Sequence, residues 1–310
     1  MSPLPMSKEK RRMSDTLNFF FLLIGNGVLI GLMYALIALG FVLVYKATDA
    51  INFAQGEFVM IAAIVVSAAL QAYGAPLWLA ILIGLGGMIA FGFGLERSVL
   101  RPLLGRPIVA VIMATIGLAA ILRGVGPLAF GTGVRNLPLP ISEDPIFLGP
   151  FFLTPVQLVG AGVSLLFLAA FGWFFMKSRQ GIAMRAVANN QQVAMAMGIH
   201  VERYFALAWA MAGVVSALGG VIWGSMLGVD VQLALVGLKV FPVVILGGLD
   251  SIVGAIVGGL IVGIVENVAA GYIDPYVGGG TKDFAPYALM ILALMIRPYG
   301  IFGKRTIERV

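Results

Sequence analysis

The amino-acid sequence predicts an all-α integral membrane protein with about eight or nine transmembrane helices, some of them discontinuous or re-entrant. Three observations favour this fold class. The mean hydropathy of the chain is +1.03, only 11% of its 310 residues are charged, and its apolar runs approach the ~20 residues that cross a bilayer as a helix. Soluble domains carry about 25% charged residues. Membrane β-barrels have short alternating segments, so the long apolar runs exclude a barrel.

Short polar segments separate the apolar runs. The runs predicted to span the membrane cover residues 17–45, 58–73, 77–95, 108–130, 156–176, 205–227, 252–270 and 284–296, with a shorter run at 239–248. The first run is too long for one straight crossing, and Gly25-Asn26-Gly27 interrupts it. It therefore predicts either one tilted helix or two short crossings.

The distribution of basic residues orients the chain, which is predicted to form a single membrane domain over 1–310. Cytoplasmic loops carry an excess of Lys and Arg, which predicts a cytoplasmic position for 96–107, 177–204 and 297–310. Segments 131–155 and 271–283 carry little positive charge and are predicted to be external. The N-terminal tail, 1–16, is basic as well. One crossing by the first run would leave this tail outside, whereas two crossings would place it inside.

Signatures of enzymes and cofactor sites are missing from the sequence. The chain has no Cys and one His, His200, so we expect neither a thiol nucleophile nor a metal site. The stretch GIFGKRT (300–306) lacks the glycine spacing and the Ser or Thr of a Walker A motif. We therefore expect no catalysis and no cofactor in this chain. The net charge of +6 is attributed to cytoplasmic loops and not to nucleic-acid binding.

Two polar segments, 46–57 and 237–251, interrupt Gly-rich apolar runs, one in each half of the chain. Discontinuous helices often mark inverted repeats, and the sequence suggests such a repeat. In the first segment, INFAQGE suits a helix start with Asn52 as its cap. One interpretation pairs Glu57 with Lys239 across the two segments, as a structural contact. The alternative gives both residues a functional role, because ionisable groups inside a membrane are costly.

Other polar residues and glycines within the runs have simpler interpretations. Arg123 is expected to extend toward the outer surface, and Glu266 is expected to be solvated because it lies near the end of its run. Glycines four residues apart allow close helix packing in lipid, and the candidates for such packing are Gly27, Gly31, Gly254, Gly258 and Gly263. An alternative interpretation places 254–263 at a subunit interface or a mobile wall.

The stretch QGIAMRAVANNQQVAMAMGIHVERY (180–204) predicts two short helices outside the membrane. The first covers 182–188 and the second 191–197, with Asn190 as its N-cap and Gly198 as the residue that ends it.

The second short helix is predicted to carry a small apolar patch. Val193 and Met197 lie four residues apart and share a face, with Ala194 beside them. The many small residues favour docking into a groove of another protein over burial among lipid headgroups.

Several stretches together resemble the LivH-type permease subunits of ATP-binding cassette (ABC) importers for branched-chain amino acids. They are GLMYALIALGFVLVYKATDAINFAQGE, ERSVLRPL, GIAMRAVANNQQVAMAMGI, KVFPVVILGGLDSIVGAIVGGLIVGIVE and RPYGIFG, which occur in this order over almost the whole chain. The family usually has His where Gln55 stands, so a titratable ring is absent here. The resemblance implies a multi-pass protein of the bacterial inner membrane.

The resemblance also implies partners and site residues. The partners are a second homologous permease of the LivM type, two cytoplasmic ATPases of the LivG and LivF types that bind ATP and Mg, and a periplasmic binding protein. The ATPases would dock on Arg185, Ala186, Asn190, Val193, Met197, Gly198 and Ile199. The residues expected to form the translocation pathway or its gate are Asn52, Phe53, Gln55, Glu57 and Lys239.

Alternatives to this function differ in substrate or in energy source. Permeases of the same type resemble transporters of urea, short amides and aromatic carboxylates. An ion-coupled secondary transporter would need coupling-ion residues deep in its spans and no ATPase docking element. A membrane enzyme would need the nucleophile or metal ligands that the sequence lacks.

Overall fold

The computed structural model describes residues 8–103, 105–142, 144–148 and 151–303. Residues 1–7 of the predicted N-terminal tail and residues 304–310 of the predicted C-terminal tail lie outside this part of the chain. The described residues form eleven α-helices, which are α1 (Lys8–Thr48), α2 (Gln55–Gln71), α3 (Leu77–Leu95), α4 (Ile108–Phe130), α5 (Pro155–Lys177), α6 (Arg179–Asn189), α7 (Gln191–Ala196), α8 (Val201–Leu227), α9 (Leu235–Gly247), α10 (Ile252–Val277) and α11 (Thr281–Ile296).

Short elements complete the described fold. A π-helical turn and a 3₁₀ turn extend α3, and a 3₁₀ turn, Val231–Ala234, leads into α9. A small antiparallel hairpin pairs β1 (Ile146–Leu148) with β2 (Phe151–Leu153). The all-helical prediction is therefore confirmed, apart from this hairpin.

Six of the described helices are long and apolar enough to cross a membrane: Thr16–Thr48, Leu77–Leu103, Ile108–Phe130, Pro155–Lys177, Val201–Leu227 and Ile252–Val277. The prediction of a multi-pass membrane protein is confirmed by these helices. Two apolar helices, α2 and Val231–Gly247, are shorter. α1 and α8 are mostly buried and form the centre of the bundle, whereas α3 and α4 expose most of their surface.

The first apolar run forms one continuous helix, α1. Gly25-Asn26-Gly27 therefore does not divide it into two crossings, and the single-crossing alternative is the one observed. Gly27 instead allows close packing, because a Cβ atom built on it would lie 2.6 Å from the Cα atom of Ile264. Two backbones that approach this closely tolerate only glycine at the contact.

The contacts of α1 identify the two ends of the bundle. At one end, the amide of Gln191 in α7 donates to the Ala47 carbonyl at 3.2 Å, so the end of α1 lies beside the 177–204 loop. At the other end, Asn26 donates to the Phe152 carbonyl of the hairpin at 3.3 Å. The described start of α1 is consequently at the hairpin end, opposite the 177–204 loop.

Glycines at four-residue spacing give α10 two packing lines. A Cβ on Gly263 would lie 2.4 Å from the Gly27 carbonyl oxygen of α1, and one on Gly31 would lie 2.6 Å from the Gly259 carbonyl oxygen. On the other line, Gly254 and Gly258 contact the backbone of α9. These glycines therefore contact α1 and α9 of the same chain, as expected for helix packing.

We predict that Gly31→Leu will lower the thermal stability of the purified protein more than Gly86→Leu. A side chain at Gly31 collides with α10 backbone, and overpacking of this kind costs about 1–3 kcal/mol. A Cβ at Gly86, on α3, would meet no atom within 4 Å, which makes it the matched control. Thermal unfolding in detergent measures both variants, and equal melting temperatures would contradict the packing role.

Candidate functional site

Helix α2 begins inside the bundle. The side-chain amide of Gln55 lies against Gly40 of α1, so closely that a Cβ on Gly40 would be 2.3 Å from the Gln55 Nε2 atom. Gly40 precedes the end of α1 at Thr48 by two helical turns, or about 12 Å. The segment 49–54 must therefore double back along α1 before α2 starts. This geometry makes the predicted break at 46–57 a re-entrant turn.

Three buried side chains form a hydrogen-bonded network at the start of α2. Gln55 donates from Nε2 to the Ser216 hydroxyl of α8 at 2.9 Å and accepts from Asn52 Nδ2 at 3.2 Å. The Ser216 hydroxyl donates in turn to the Ala212 carbonyl at 2.8 Å. Asn52, Gln55 and Ser216 are 0% exposed. The network is neutral and fully buried, so it needs no titratable ring at position 55.

The prediction that Asn52 is the N-cap of α2 is wrong, because Asn52 lies two residues before the observed N-cap. The N-cap position of α2 belongs to Ala54, which has no side-chain hydrogen bond. Asn52 Oδ1 instead accepts from the Ala54 backbone N–H at 3.0 Å. The hydroxyl of Thr115, on α4, accepts from the Phe53 backbone N–H at 3.3 Å. Sequence reasoning missed Thr115 and Ser216, because single hydroxyl residues in apolar helices give no signal.

The broken segments of the two halves meet at a pair of glycines. A Cβ on Gly237 of α9 would lie 2.4 Å from the Cα atom of Gly56 in α2. A narrow crevice opens beside this crossing, with a volume of about 10 Å³, and its aromatic wall is formed by Phe41, Phe53 and Phe241. A space of this volume holds about one water molecule, so the crevice is closed in this conformation.

The predicted pairing of Glu57 with Lys239 is wrong. Glu57, which is 1% exposed, accepts from Arg123 Nε at 2.5 Å. Lys239 forms its ion pair with Asp283, 2.6 Å away at the start of α11. The charged residue of α2 therefore pairs with α4, and that of α9 pairs with α11, so each ion pair lies within one half of the chain. The expectation that Arg123 merely extends to the outer surface is wrong for the same reason.

Glu266 also departs from expectation. It is 4% exposed, although the sequence suggested a solvated position. Its side chain lies close to Tyr34, and the Tyr34 ring stacks on Trp223 with 5.1 Å between ring centroids. α10 continues to Val277, beyond the apolar run ending at 270, so Glu266 lies well inside the helix.

The loop 177–204 forms two capped helices, as predicted. The Ser178 hydroxyl accepts from the Gly181 N–H at the start of α6, at 2.9 Å. Asn190 Oδ1 accepts from the Val193 N–H at the start of α7, at 3.0 Å. Gly198 follows α7 with a φ of +80°, a conformation that glycine adopts without strain. These local predictions, the Asn190 N-cap and the Gly198 turn, are confirmed.

The surface of the loop differs from the predicted patch in one residue. Val193 and Met197 are exposed, and Met195 is exposed beside them, whereas Ala194 is only 3% exposed and packs into the core. We call Val193, Met195 and Met197 the docking patch. Ile199 and Ala186 are half-buried. They therefore help to pack the loop against the bundle more than they form its outer face.

Arg185 attaches α6 to the end of α5. Its guanidinium donates to the Met176 carbonyl at 3.1 Å and lies 5.9 Å from the centre of the Phe175 ring, within the range of a cation–π contact. Arg185 thus faces the bundle and not the solvent side of the loop.

The loop is connected to the re-entrant segment by a short route. Gln191, the first residue of α7, binds the Ala47 carbonyl, and Asp49 follows two residues later with a φ of +54°. Among the described residues, Asp49 is the one non-glycine with positive φ. A left-handed conformation at a non-glycine residue is strained. A movement of α7 would therefore reach Asn52 and Gln55 through only a few residues.

Comparison with known proteins places the chain in a family. The family described as branched-chain amino acid transport system, permease component, matches residues 23–296. The chain is 33% identical to the high-affinity branched-chain amino acid transport system permease protein LivH of Escherichia coli K12, over 96% of this chain and 100% of that protein. It is 30% identical to the corresponding protein BraD of Pseudomonas aeruginosa, over 92% and 96%.

More distant similarities extend the comparison. The autoinducer 2 import system permease protein LsrC of Yersinia pestis is 26% identical over 75% of this chain and 66% of that protein. A solved structure, PsaBC from Streptococcus pneumoniae in complex with Fab, covers 89% of this chain and 92% of that chain at 15% identity and a TM-score of 0.46. The family match covers most of the chain, and LivH is similar along its full length; the chain therefore belongs to the family of permease components of branched-chain amino acid transport systems.

Proposed function

We propose that this chain forms the pathway by which an ABC importer moves branched-chain amino acids across the inner membrane. The chain is a permease subunit, with a transport role and no catalysis of its own. The similarity to LivH along almost the whole chain carries the proposal. The alternative substrates, which are urea, short amides and aromatic carboxylates, are not favoured by the names of the relatives.

The pathway is proposed to run past the crossing of α2 and α9. Asn52, Phe53, Gln55 and Glu57 lie at or beside the start of α2, and Lys239 lies on α9. A re-entrant turn and two glycines in backbone contact form a structure that small helix movements can open. Broken helices of this kind surround the substrate sites of many transporters.

The arrangement of the helices supports an inverted repeat of α1–α4 and α8–α11. α1 packs along α10 and α8 packs along α3, while α2 packs on α4 and α9 packs on α11. Corresponding helices run in opposite directions. Each unit has one ion pair between its broken helix and its fourth helix. The six long helices, together with α2, Val231–Gly247 and α11, would give about nine crossings.

The partners are proposed from the docking patch and from the family. ATP and Mg would bind to two separate ATPase chains, of the LivG and LivF types, that receive the docking patch in a groove. A LivM-type permease would complete the pathway, and a periplasmic binding protein would deliver the substrate. Exposed apolar side chains on a short helix outside the spans fit the helix-in-groove mode of recognition.

We expect leucine-loaded binding protein to stimulate ATP hydrolysis by the assembly in liposomes, with uptake of leucine. Binding protein without ligand serves as the control. Stimulation by a urea- or benzoate-loaded binding protein, with none by leucine, would contradict the proposed substrate. Failure of any ATPase to co-purify, with solute movement driven by an ion gradient, would contradict the importer itself.

Val193→Asp and Met197→Asp should reduce both ATPase co-purification and leucine uptake by about tenfold or more. A charge in an apolar docking patch loses contacts of the kind that dominate binding energy. Gly198→Pro should act similarly, because proline cannot adopt a positive φ. The matched control is Val99→Asp, an exposed apolar residue at the same end of the bundle but outside the loop. Equal losses from Val99→Asp would indicate a general defect.

Gln55→Leu should lower thermal stability and uptake together. It leaves the Asn52 amide without its acceptor in the buried network, and an unsatisfied buried polar group costs about 1–3 kcal/mol. Ser67→Ala is the control in the same helix, because the Ser67 hydroxyl is buried without a hydrogen-bond partner. Differential scanning fluorimetry of both variants tests the network, and an unchanged Gln55→Leu protein would refute its importance.

A further inference from the structure

Arg123 is a charged residue on the outward surface of a membrane-spanning helix. It lies within α4, about two turns before the end of that helix at Phe130, and its side chain is 45% exposed. Exposed neighbours on α4 are apolar: Met113, Ile116, Ile121, Val125 and Leu128. An exposed guanidinium is costly in hydrocarbon. Charged residues in membrane helices usually face protein or a water-filled cavity, which agrees with the ion pair of Arg123 with Glu57.

Glu57 holds Arg123 in place but uses only part of its bonding capacity. The carboxylate accepts from Arg123 Nε at 2.5 Å. For the two terminal nitrogens of Arg123, the described residues provide no acceptor. A guanidinium can bind a carboxylate through two parallel N–H···O bonds. Arg123 thus keeps free donors suited to a carboxylate ligand.

Lys239 differs from Arg123 both in its ion pair and in its position relative to the crevice. Its ammonium group already pairs with Asp283 at 2.6 Å, and Lys239 does not line the crevice beside the glycine crossing. Arg123 does line it. Of these two cations on membrane helices, Arg123 is therefore the one available to a ligand in the crevice.

Apart from Arg123 and its partner Glu57, which also lines the crevice, the wall is apolar and aromatic. The Phe241 ring lies 5.8 Å from Phe53 and 6.3 Å from Phe41, measured between ring centroids. Leu238 lines the same space, and Gly56 leaves its floor without a side chain. Aromatic side chains offer large apolar contact areas. A cation beside such a wall complements a small molecule that has a carboxylate and an aliphatic side chain.

We propose that Arg123 binds the α-carboxylate of the transported amino acid while Phe41, Phe53 and Phe241 contact its aliphatic side chain. The volume of about 10 Å³ excludes any amino acid in the present conformation, so the contact forms only when the crevice widens during transport. This inference rests on the proposed function, because it assigns a role to residues along the same pathway.

The test compares leucine uptake with stimulated ATP hydrolysis in the reconstituted assembly with its binding protein. Arg123→Gln alone leaves Glu57 buried and unpaired, so the decisive variant is the double substitution Glu57→Gln with Arg123→Gln. We expect it to retain stimulated ATP hydrolysis but to move about tenfold less leucine per ATP, the loss expected from a charged hydrogen-bonded contact. Arg123→Lys should restore part of the uptake, because it retains the charge. Arg106→Gln, at an exposed arginine between the spans Leu77–Leu103 and Ile108–Phe130, is the control for charge.

Restored leucine uptake in the double variant would overturn the proposal, because it would mean that Arg123 only neutralises Glu57. The side-chain contacts have a separate readout, in which Phe241→Ala should lower the uptake of leucine relative to alanine. An unchanged ratio would remove the aromatic wall from the proposal. If the unsubstituted assembly does not take up leucine at all, the proposed function fails instead, so the two failures are distinguishable.

Discussion

The structure depends on one constraint, which is that a helix broken inside an apolar bundle must find partners for its exposed polar groups. Lipid offers none, so breaks survive only where protein satisfies them. Here the segment 49–54 returns into the bundle and is bonded by Thr115 from α4, while Gln55 is bonded by Ser216 from α8. Three helices thus converge on one turn. Both α4 and α8 therefore contribute a hydroxyl group to this turn.

The features that could be predicted from the sequence were those that depend on local order along the chain. The Asn190 cap and the Gly198 turn need only their immediate neighbours, and the spans follow from apolar length. The ion pairs could not be predicted, because the sequence contains several possible cationic partners for Glu57. The actual partner depends on which helix packs beside α2. The prediction that Glu266 is solvated was wrong for a related reason. The apolar run ends before α10 does, so the sequence placed the end of this helix too early.

The site combines rigid and mobile parts. Close glycine contacts between α1 and α10 leave little freedom, since backbones in direct contact cannot slide without separating. The re-entrant turn is different: it is held by single hydrogen bonds and begins at a strained Asp49. The Gln191 contact connects this turn to α7.

The uninterrupted α1 has a consequence for biogenesis. Its first residues include Lys8, Lys10, Arg11 and Arg12, and the helix places them at the end of the bundle opposite the docking patch. With the docking patch on the cytoplasmic side, as proposed, this basic segment would be translocated against the usual charge preference. The helices that pack most extensively on α1 are α10, α8 and α5, which begin more than 100 residues after α1 ends. α1 is therefore complete in the growing chain long before the helices that hold it in place are synthesised.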